Sequence, residues 1–305
     1  MSGLENIRPK EARDARGIKT MKLYSDIDRI DKELLVRGYG PEDPLDAAIV
    51  HQVDSMHYEG NETIQAAVTS LLDSKSTGSM TRDGHDKSVI RVLDIGSGFG
   101  GPARYVATHC DNSRVVALEL QRDIHEKAQE LTRRCCLDTA IRHVNGDFME
   151  MDLSIIEDGQ LFDGIVSWLV FLHISDKNNL FQRCHSLLLP TGCMIIDDFY
   201  ERQPFTEAEK ASLNQDVYCQ NLPTKGCYME TLRQSGFTDI DFQDKTKDWT
   251  DFTVSRFQTF QASREVFVNR HDEGTYDRLH HFYAAVATLF QSGHLGGTRI
   301  VARKY

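Results

Sequence analysis

Apolar residues along the 305-residue chain fall into two rhythms. Short apolar runs read as strands: VIRVL from Val89, RVVALEL at Arg114–Leu120, a segment near Ile141–Val144, FDGIVSW at Phe162–Trp168 and CMIIDDF from Cys193. Between them apolar positions recur every three or four residues. That spacing predicts helices through about Cys110, from Arg122 to Cys135 and from about Asp176 to Leu188, with Pro190-Thr191-Gly192 as a turn before the fifth strand. Strands alternating with helices predict a doubly wound, mostly parallel sheet that holds its ligand outside the carboxyl ends of the strands.

The chain on either side follows different patterns. Residues 1–20 are polar and rich in Lys, Arg and Glu, so a mobile arm is expected there. From Tyr24 to Val36, the apolar positions Ile27, Ile30, Leu34 and Leu35 predict a short amphipathic helix that Ser25 or Asp26 can cap. Gly38 to Pro41 breaks it, and a second helix is expected from Glu62 to Leu72, after Gly60. Ser74 to Lys87 carries almost no apolar residue and reads as a surface linker. Beyond Tyr200 the alternation lapses: Pro204–Cys219 and Thr250–Arg270 read as helical insertions, with a helix near Tyr228–Ser235 and a strand near Asp239–Phe242 between them. A helix over Tyr276–Gln291 then leads through Gly293 and Gly296-Gly297 to a closing strand, TRIVARK, which makes seven strands. The expected division is an arm (1–20), an N-terminal helical lid and linker (21–87), a ligand-binding core (88–200) and a helical substrate cap with the last two strands (201–305).

Charge and cysteine content narrow the class. With 35 Lys and Arg against 46 Asp and Glu, the formal charge is −11, and no basic stripe suits nucleic acid or an anionic membrane. No apolar run is long enough to span a bilayer, and no leader is visible, so the chain reads as cytoplasmic. Seven cysteines without a C-x-x-C pair fit reduced, buried thiols, and no metal site is expected. A monomer or a homodimer is expected.

The chemistry concentrates at LDIGSGFGGPARYVA, which begins at Leu93. Gly96, Gly98, Gly100 and Gly101 give the turn between strand and helix bare backbone against which a ligand can lie, next to unpaired N–H groups of the helix. The glycines alone also satisfy a dinucleotide-binding spacing, G-x-G-x-x-G. Asp94 shifts the reading, because a carboxylate at the strand tip repels a pyrophosphate and suits a ligand with a positive amine and no phosphate. S-adenosylmethionine (SAM) is such a ligand. This string resembles motif I of the class I SAM-dependent methyltransferases, in their small-molecule branch. HYEG at His57–Gly60 is similar to an element of the sarcosine and dimethylglycine N-methyltransferases, and LFQRCHSLLLPTGCMIIDDFY to a stretch of phosphoethanolamine methyltransferases. The resemblance implies a Rossmann-like methyltransferase sheet, an N-terminal segment folded over SAM and a small-molecule methyl acceptor held by the cap.

Further residues follow from position or from that resemblance. Glu119 ends the second strand where an acidic side chain can accept both ribose hydroxyls, with Leu120 beside it. Asp147 in NGDF resembles the residue that pairs with the adenine amine, with Phe148 at the ring, although Asn-Gly-Asp is equally a turn. Ser97 lies among the glycines, and Ser167 and Trp168 end the fourth strand and border the methionine part. Arg104 either contacts the cofactor carboxylate or ties down the arm. Tyr24, Tyr58, Trp168 and Tyr200 are candidate acceptor contacts, and a carboxylate-bearing acceptor calls for one of Arg256, Arg264, Arg278 and Arg299. His173, just before a helix that Ser175 or Asp176 can cap, is placed to take a proton from the acceptor, directly or through Tyr58 or water. The position resembles the catalytic histidine of phosphoethanolamine methyltransferases, whose tyrosine partner corresponds to Tyr24 or Tyr58. The expected reaction is N-methylation of a small amine. O- or C-methylation of a lipid or polyketide and a catalytically silent binding fold are the alternatives, and arsenite methylation needs converging cysteines, for which Cys219 and Cys227 are the cap candidates.

Overall fold

The computed structural model describes residues 27–54, 56–77 and 89–305. Three helices come first: α1 (Ile27–Val36), α2 (Ala47–Asp54) and α3 (Asn61–Thr77). The alternating core follows as β1 (Ile90–Ile95), α4 (Gly101–His109), β2 (Ser113–Glu119), α5 (Arg122–Arg134), β3 (Ile141–Asn145), the single turn α6 (Ser154–Glu157), β4 (Phe162–Trp168), α7 (Lys177–Leu187) and β5 (Leu188–Glu201). Then come α8 (Glu207–Gln215), α9 (Lys225–Gln234), β6 (Asp239–Asp244), α10 (Thr246–Ala262), α11 (Arg264–Arg270), α12 (Glu273–Gln291) and β7 (Leu295–Arg303). Seven strands form one sheet in the order β3-β2-β1-β4-β5-β7-β6, with β7 antiparallel to both neighbours and the first five parallel. Between β1 and β4 the strand order reverses, which opens a crevice at their carboxyl ends.

Alternation along β1 explains how both faces of the sheet are filled. Ile90 and Val92 pack with Val106, Ile64 and Leu71 on the face covered by α3 and α4, while Leu93 and Ile95 pack with Phe162, Phe181 and Leu187 on the other. A third cluster joins Tyr58, Phe199 and Trp249 to α8 and α12, and a fourth joins α1 and α2 to α5. No helix among the described residues is long and apolar enough to cross a membrane.

Several boundaries differ from the periodicity, each for a local reason. Residues 1–26 and 78–88 lie outside the described residues, and with them the arm, Tyr24, the Ser25 and Asp26 caps and most of the linker. α2 is an element that the pattern does not announce: eight residues with Val50 and Val53 buried, begun by Asp46, whose carboxylate accepts from Ala48 N–H at 2.7 Å. α3 continues five residues past Leu72 into the polar stretch. The segment Pro190–Gly192 is not a free turn but a bulge inside β5. Pairing with β4 jumps from Phe162↔Leu188 to Gly164↔Cys193, and Thr191 takes φ +71°. At the other end, β7 absorbs Gly296 and Gly297 instead of starting after them, because aromatic rings lie against the bare backbone. A Cβ on Gly297 would stand 2.1 Å from Cε3 of the fully buried Trp249.

The N-terminal helices are stitched to the rest by charge. Lys127 of α5 holds Asp31 at 2.6 Å, Arg134 donates to the carbonyls of Gly40 and Asp43 at 2.6 and 3.0 Å, and Glu33 accepts from Arg270 at 2.8 Å and meets His271 at 3.0 Å. These bonds hold the polypeptide between α1 and α3 across the crevice.

The Trp249 contact gives the first prediction. Gly297→Ala forces the indole off its position in a filled core and should cost about 1–3 kcal/mol. A lower urea midpoint with an unchanged slope checks it, whereas an unchanged midpoint means that the ring has room to move.

Candidate active site

The site grows from the carboxyl ends of β1 and β2. Leu118 O accepts from Gly96 and Ser97 N–H at 2.8 and 2.9 Å, so the glycine turn folds back over the end of β2. Gly96 takes φ +74°, and a Cβ there would stand 2.4 Å from Val170. Gly100, at φ +82°, is the N-cap of α4, and Pro102 in the first turn suits that helix start. Glu119 closes the arrangement: one oxygen accepts from Gly98 N–H at 3.0 Å, the other from Gln121 N–H at 2.8 Å. Burial pushes its carboxyl up and those backbone bonds work against the shift.

A cavity of about 490 Å³ opens from this turn. Of the residues singled out from the sequence, Gly96, Ser97, Gly98, Glu119, Leu120, Asp147, Phe148, Trp168, Tyr58 and His173 line it together. Asp147 makes the turn read from NGDF, accepting from Met149 N–H at 3.0 Å, and lines the cavity as well.

Asp94 stands just behind the wall. It is 1% exposed, and neither carboxylate oxygen has a hydrogen-bond partner among the described residues; Ser97 Oγ is in the same condition. Burial, and then the nearby Glu119 carboxylate, push the Asp94 pKa up to about 8.

Other expectations need correction. Ser167 does not face the crevice: its hydroxyl donates to Ile95 O at 2.8 Å and ties β4 to β1. Gly100 shapes the turn without lining the cavity. Tyr200 is buried against Phe242 and over Gly296, on the far side of β5 from the cavity wall. Arg104 ties down the N-terminal helices through α2. Its guanidinium pairs with buried Asp54 of α2 and donates to Phe99 O at 2.8 Å and Thr132 at 3.0 Å.

His173 ends a 3₁₀ turn over Phe171–His173, before the helix that Asp176 caps by accepting from Asn179 N–H at 3.0 Å. Lys177 holds that turn by donating to Phe171 O and Ile174 O at 2.5 and 2.6 Å. The Nδ1 of His173 lies 3.1 Å from Tyr218 O. A carbonyl only accepts, so Nδ1 carries the proton and Nε2 keeps its lone pair. Burial lowers the ring's pKa to about 4, which leaves it neutral at pH 7. Tyr58 is 3% exposed and packs edge-on to Trp249 at 5.2 Å.

Sequence reasoning left four arginines equivalent, and the structure separates them. Arg299 is paired with Asp197 at 2.8 Å, Arg264 with Glu273 at 2.5 Å, and Arg278 donates to Thr275, whereas Arg256 lines the cavity. Met56, His57, Phe282 and Tyr283 also line it and were not singled out as contacts. His57, 3.0 Å from Gly60 O through Nε2, was signalled by its place in HYEG. The two α12 residues carried no signal beyond helical periodicity. No cluster of three His, Cys, Asp or Glu suited to a metal ion occurs among the described residues.

Comparison with known proteins agrees with this geometry. Residues 92–192 match the family described as methyltransferase domain, a span that holds the glycine turn and runs from β1 into β5. A sarcosine/dimethylglycine N-methyltransferase of Halorhodospira halochloris is 30% identical over 155 residues, 51% of this chain and 54% of that protein. Phosphoethanolamine N-methyltransferase 1 of Arabidopsis thaliana is 29% identical over 191 residues, 62% of this chain and 37% of that protein. The chain thus spans about half, or less, of the curated relatives it matches. Among solved structures, phosphoethanolamine N-methyltransferase 2 of Haemonchus contortus, in complex with S-adenosyl-L-methionine, superposes with a TM-score of 0.69 at 19% identity, over 95% of this chain and 60% of that one. The shared architecture is the Rossmann-like methyltransferase fold.

The Asp94 environment predicts a pH signature of the ligand-free protein. A carboxyl whose folded pKa is raised is fully tolerated below its unfolded value and costs stability as pH climbs toward the folded one, here from about 4 to about 8. Asp94→Asn, which keeps the shape and cannot ionise, should therefore flatten the fall in melting temperature across that window and melt higher than wild type at pH 8. Identical pH slopes for the two proteins would refute a buried, uncompensated Asp94.

Proposed function

We propose that this chain is an enzyme that binds SAM in the cavity and transfers its methyl group to a small molecule, first of all to the nitrogen of a small amine. The observation that carries the reading is the unpartnered Asp94 carboxylate and Ser97 hydroxyl, buried beside a glycine turn. An ammonium is the partner such a carboxylate lacks, and SAM brings one without a phosphate. The donor set fits the remainder of the ligand as well. Glu119 faces the cavity with a carboxylate already fixed by two backbone N–H groups, and each oxygen keeps a lone pair for a ribose hydroxyl. Leu120 and Phe148 offer apolar surface to an adenine, and Asp147 an acceptor for its amine. Arg104, committed to Asp54, takes no part in cofactor binding.

Bound there by Asp94 and Glu119, SAM would supply an electrophilic sulfonium methyl to the lone pair of an acceptor nitrogen, with neutral S-adenosylhomocysteine as the leaving group. The protein's share is alignment, exclusion of water and handling of the proton. His173 Nε2, neutral at pH 7, accepts the proton that the nitrogen gives up, and Lys177 keeps the imidazole in place by gripping the turn on both sides of it. Trp168 and Tyr58 close the wall around the methyl, their rings able to face a cationic product. The names of the curated relatives, whose acceptors are sarcosine, dimethylglycine and phosphoethanolamine, support nitrogen as the atom methylated.

One observation favours a second reading. Leu169, Leu172, Phe199, Val217, Leu279 and Phe282 give the acceptor end of the cavity an apolar wall, which suits O- or C-methylation of a lipid-like or polyketide-like acceptor. Arsenite chemistry gains no support, since neither Cys219 nor Cys227 lines the cavity.

Calorimetric titration with SAM tests the cofactor reading. Binding should be lost by roughly ten- to a hundredfold in Glu119→Ala, the loss of charged hydrogen bonds worth about 1.5–3 kcal/mol. No binding to the wild type at millimolar SAM leaves only the silent-fold alternative. Mass spectrometry of amine mixtures for a gain of one methyl then identifies the acceptor. With it in hand, His173→Ala should lower kcat about 10²- to 10⁴-fold at unchanged SAM affinity and abolish an acidic limb that the wild type shows near pH 4. An unaltered kcat and pH profile returns His173 to a structural role.

A further inference from the structure

Beneath the turn that carries His173 lies a set of ionisable side chains that do not touch the cavity. Lys177, Asp198 and Tyr228 are 9%, 0% and 0% exposed, and among the described residues none of the three lines it. Tyr228, on α9, donates its hydroxyl to the Asp198 carboxylate of β5 at 2.6 Å. Asp198 and Lys177 answer each other's charge: burial pushes the ammonium down and the carboxyl up, and each group works against the other's shift. Two thiols meet this set, Cys219 at Lys177 and Cys184 at Tyr228, with Arg183 facing Cys184 in turn. Burial pushes the Tyr228 hydroxyl and the Cys184 thiol well up, so both keep their protons at pH 7.

A buried ion pair is a poor device for stability, because two charges withdrawn from water recover that cost only in part. Its use here lies in where the ammonium points. Nζ of Lys177 donates to the carbonyls of Phe171 and Ile174, which bracket Leu172 and His173. A charged donor makes the stronger bonds and has three N–H groups to give. Dry surroundings favour the neutral amine, so the grip on the turn depends on an acid held close, and the Tyr228 hydroxyl favours the ionised form of that acid. The far side of the ring is fixed by backbone: Tyr218 takes φ +57°, and its carbonyl accepts from Nδ1 at 3.1 Å. Asp198 and Tyr228 both lie beyond the matched span at 92–192.

We infer that Asp198 and Tyr228 are positioning residues for His173: sealed under the 3₁₀ turn, they keep Lys177 charged, and Lys177 holds the turn so that the imidazole presents Nε2 to the cavity. The inference rests on the reading of His173 as the proton acceptor in methyl transfer and deepens it. It gives α9, which among the described residues has none in the cavity wall, a part in the chemistry.

The test reads the His173 ring directly, by NMR of the full chain with isotope-labelled histidine, the signal being the one lost in His173→Gln. Wild type should show the Nδ1–H tautomer alone and stay neutral down to about pH 4. Tyr228→Phe keeps the ring against Phe181 and Phe242 and removes only the hydroxyl. It should bring in the second tautomer. It should also move the midpoint up toward the ordinary 6.5, since the Lys177 charge is one of the influences that lower it. Asp198→Asn should do the same more strongly, and should add nothing in a chain that already carries Lys177→Met. If Asp198→Asn does not fold, Tyr228→Phe decides alone. Variants that melt lower while the tautomer and titration of His173 stay as in wild type overturn the inference, and so does an Asp198→Asn effect that persists without Lys177. With an acceptor identified, Tyr228→Phe should lower kcat about three- to tenfold at unchanged SAM affinity and lower it no further in His173→Ala. The expected NMR changes together with a kcat indifferent to His173→Ala leave the positioning intact and sink the reading of His173 as the proton acceptor.

Discussion

Asp94 and Glu119 lie at the ends of two adjacent parallel strands, and both are buried, Asp94 behind the cavity wall and Glu119 in it. Two acids withdrawn from solvent side by side are an unfavourable arrangement, and the surroundings treat them differently. Glu119 is offset by two backbone N–H groups, that of Gly98 in the glycine turn and that of Gln121 just beyond β2. Asp94 is not offset. Burial and its neighbour raise its pKa to about 8, and the protein carries that cost in the ligand-free state. On the proposed reading the ammonium of SAM is the partner this acid lacks, and the stability that Asp94 costs is what the binding site is traded for.

The core was legible because its elements are local. VIRVL, VVAL and FDGIVSW each commit to a strand within a few residues, and the helices between them show their apolar face on their own. Residues at the glycine-turn end of the cavity could be picked out for the same reason: each sits where an apolar run ends, and the strand order brings the run ends to one edge. Reading failed where a long-range contact decided. Ser167 points at Ile95 O because β4 pairs with β1, and nothing in FDGIVSW says which way a strand-end serine turns. Tyr200 lies over Gly296 because β5 pairs with β7 almost a hundred residues later. Arg256 could not be told from Arg264, Arg278 and Arg299 because the distinction lies in what each meets, the rings of Tyr58, Phe252 and Tyr283 for the first and Glu273, Thr275 and Asp197 for the others, none of which sequence spacing reveals.

Arg104 shows how the early helices became part of the site. A fully buried guanidinium needs a counter-charge, and the carboxylate it pairs with, Asp54, comes from α2, a helix too short to stand on its pattern. That pair fixes the end of α2 against the glycine turn and delivers the next residues, Met56, His57 and Tyr58, to the cavity wall. His57 and Tyr58 then meet Trp168 and Trp249, so the first and last thirds of the chain share one surface.

The salt bridge from Glu33 to Arg270 joins residues 237 positions apart. A contact of that span would close an entropically expensive loop were the elements between its ends not already packed together. The cavity has the same long reach: Met56, His57 and Tyr58 come to its wall from before β1 and Leu279, Phe282 and Tyr283 from α12, so the wall is complete only where the early and the late helices stand together.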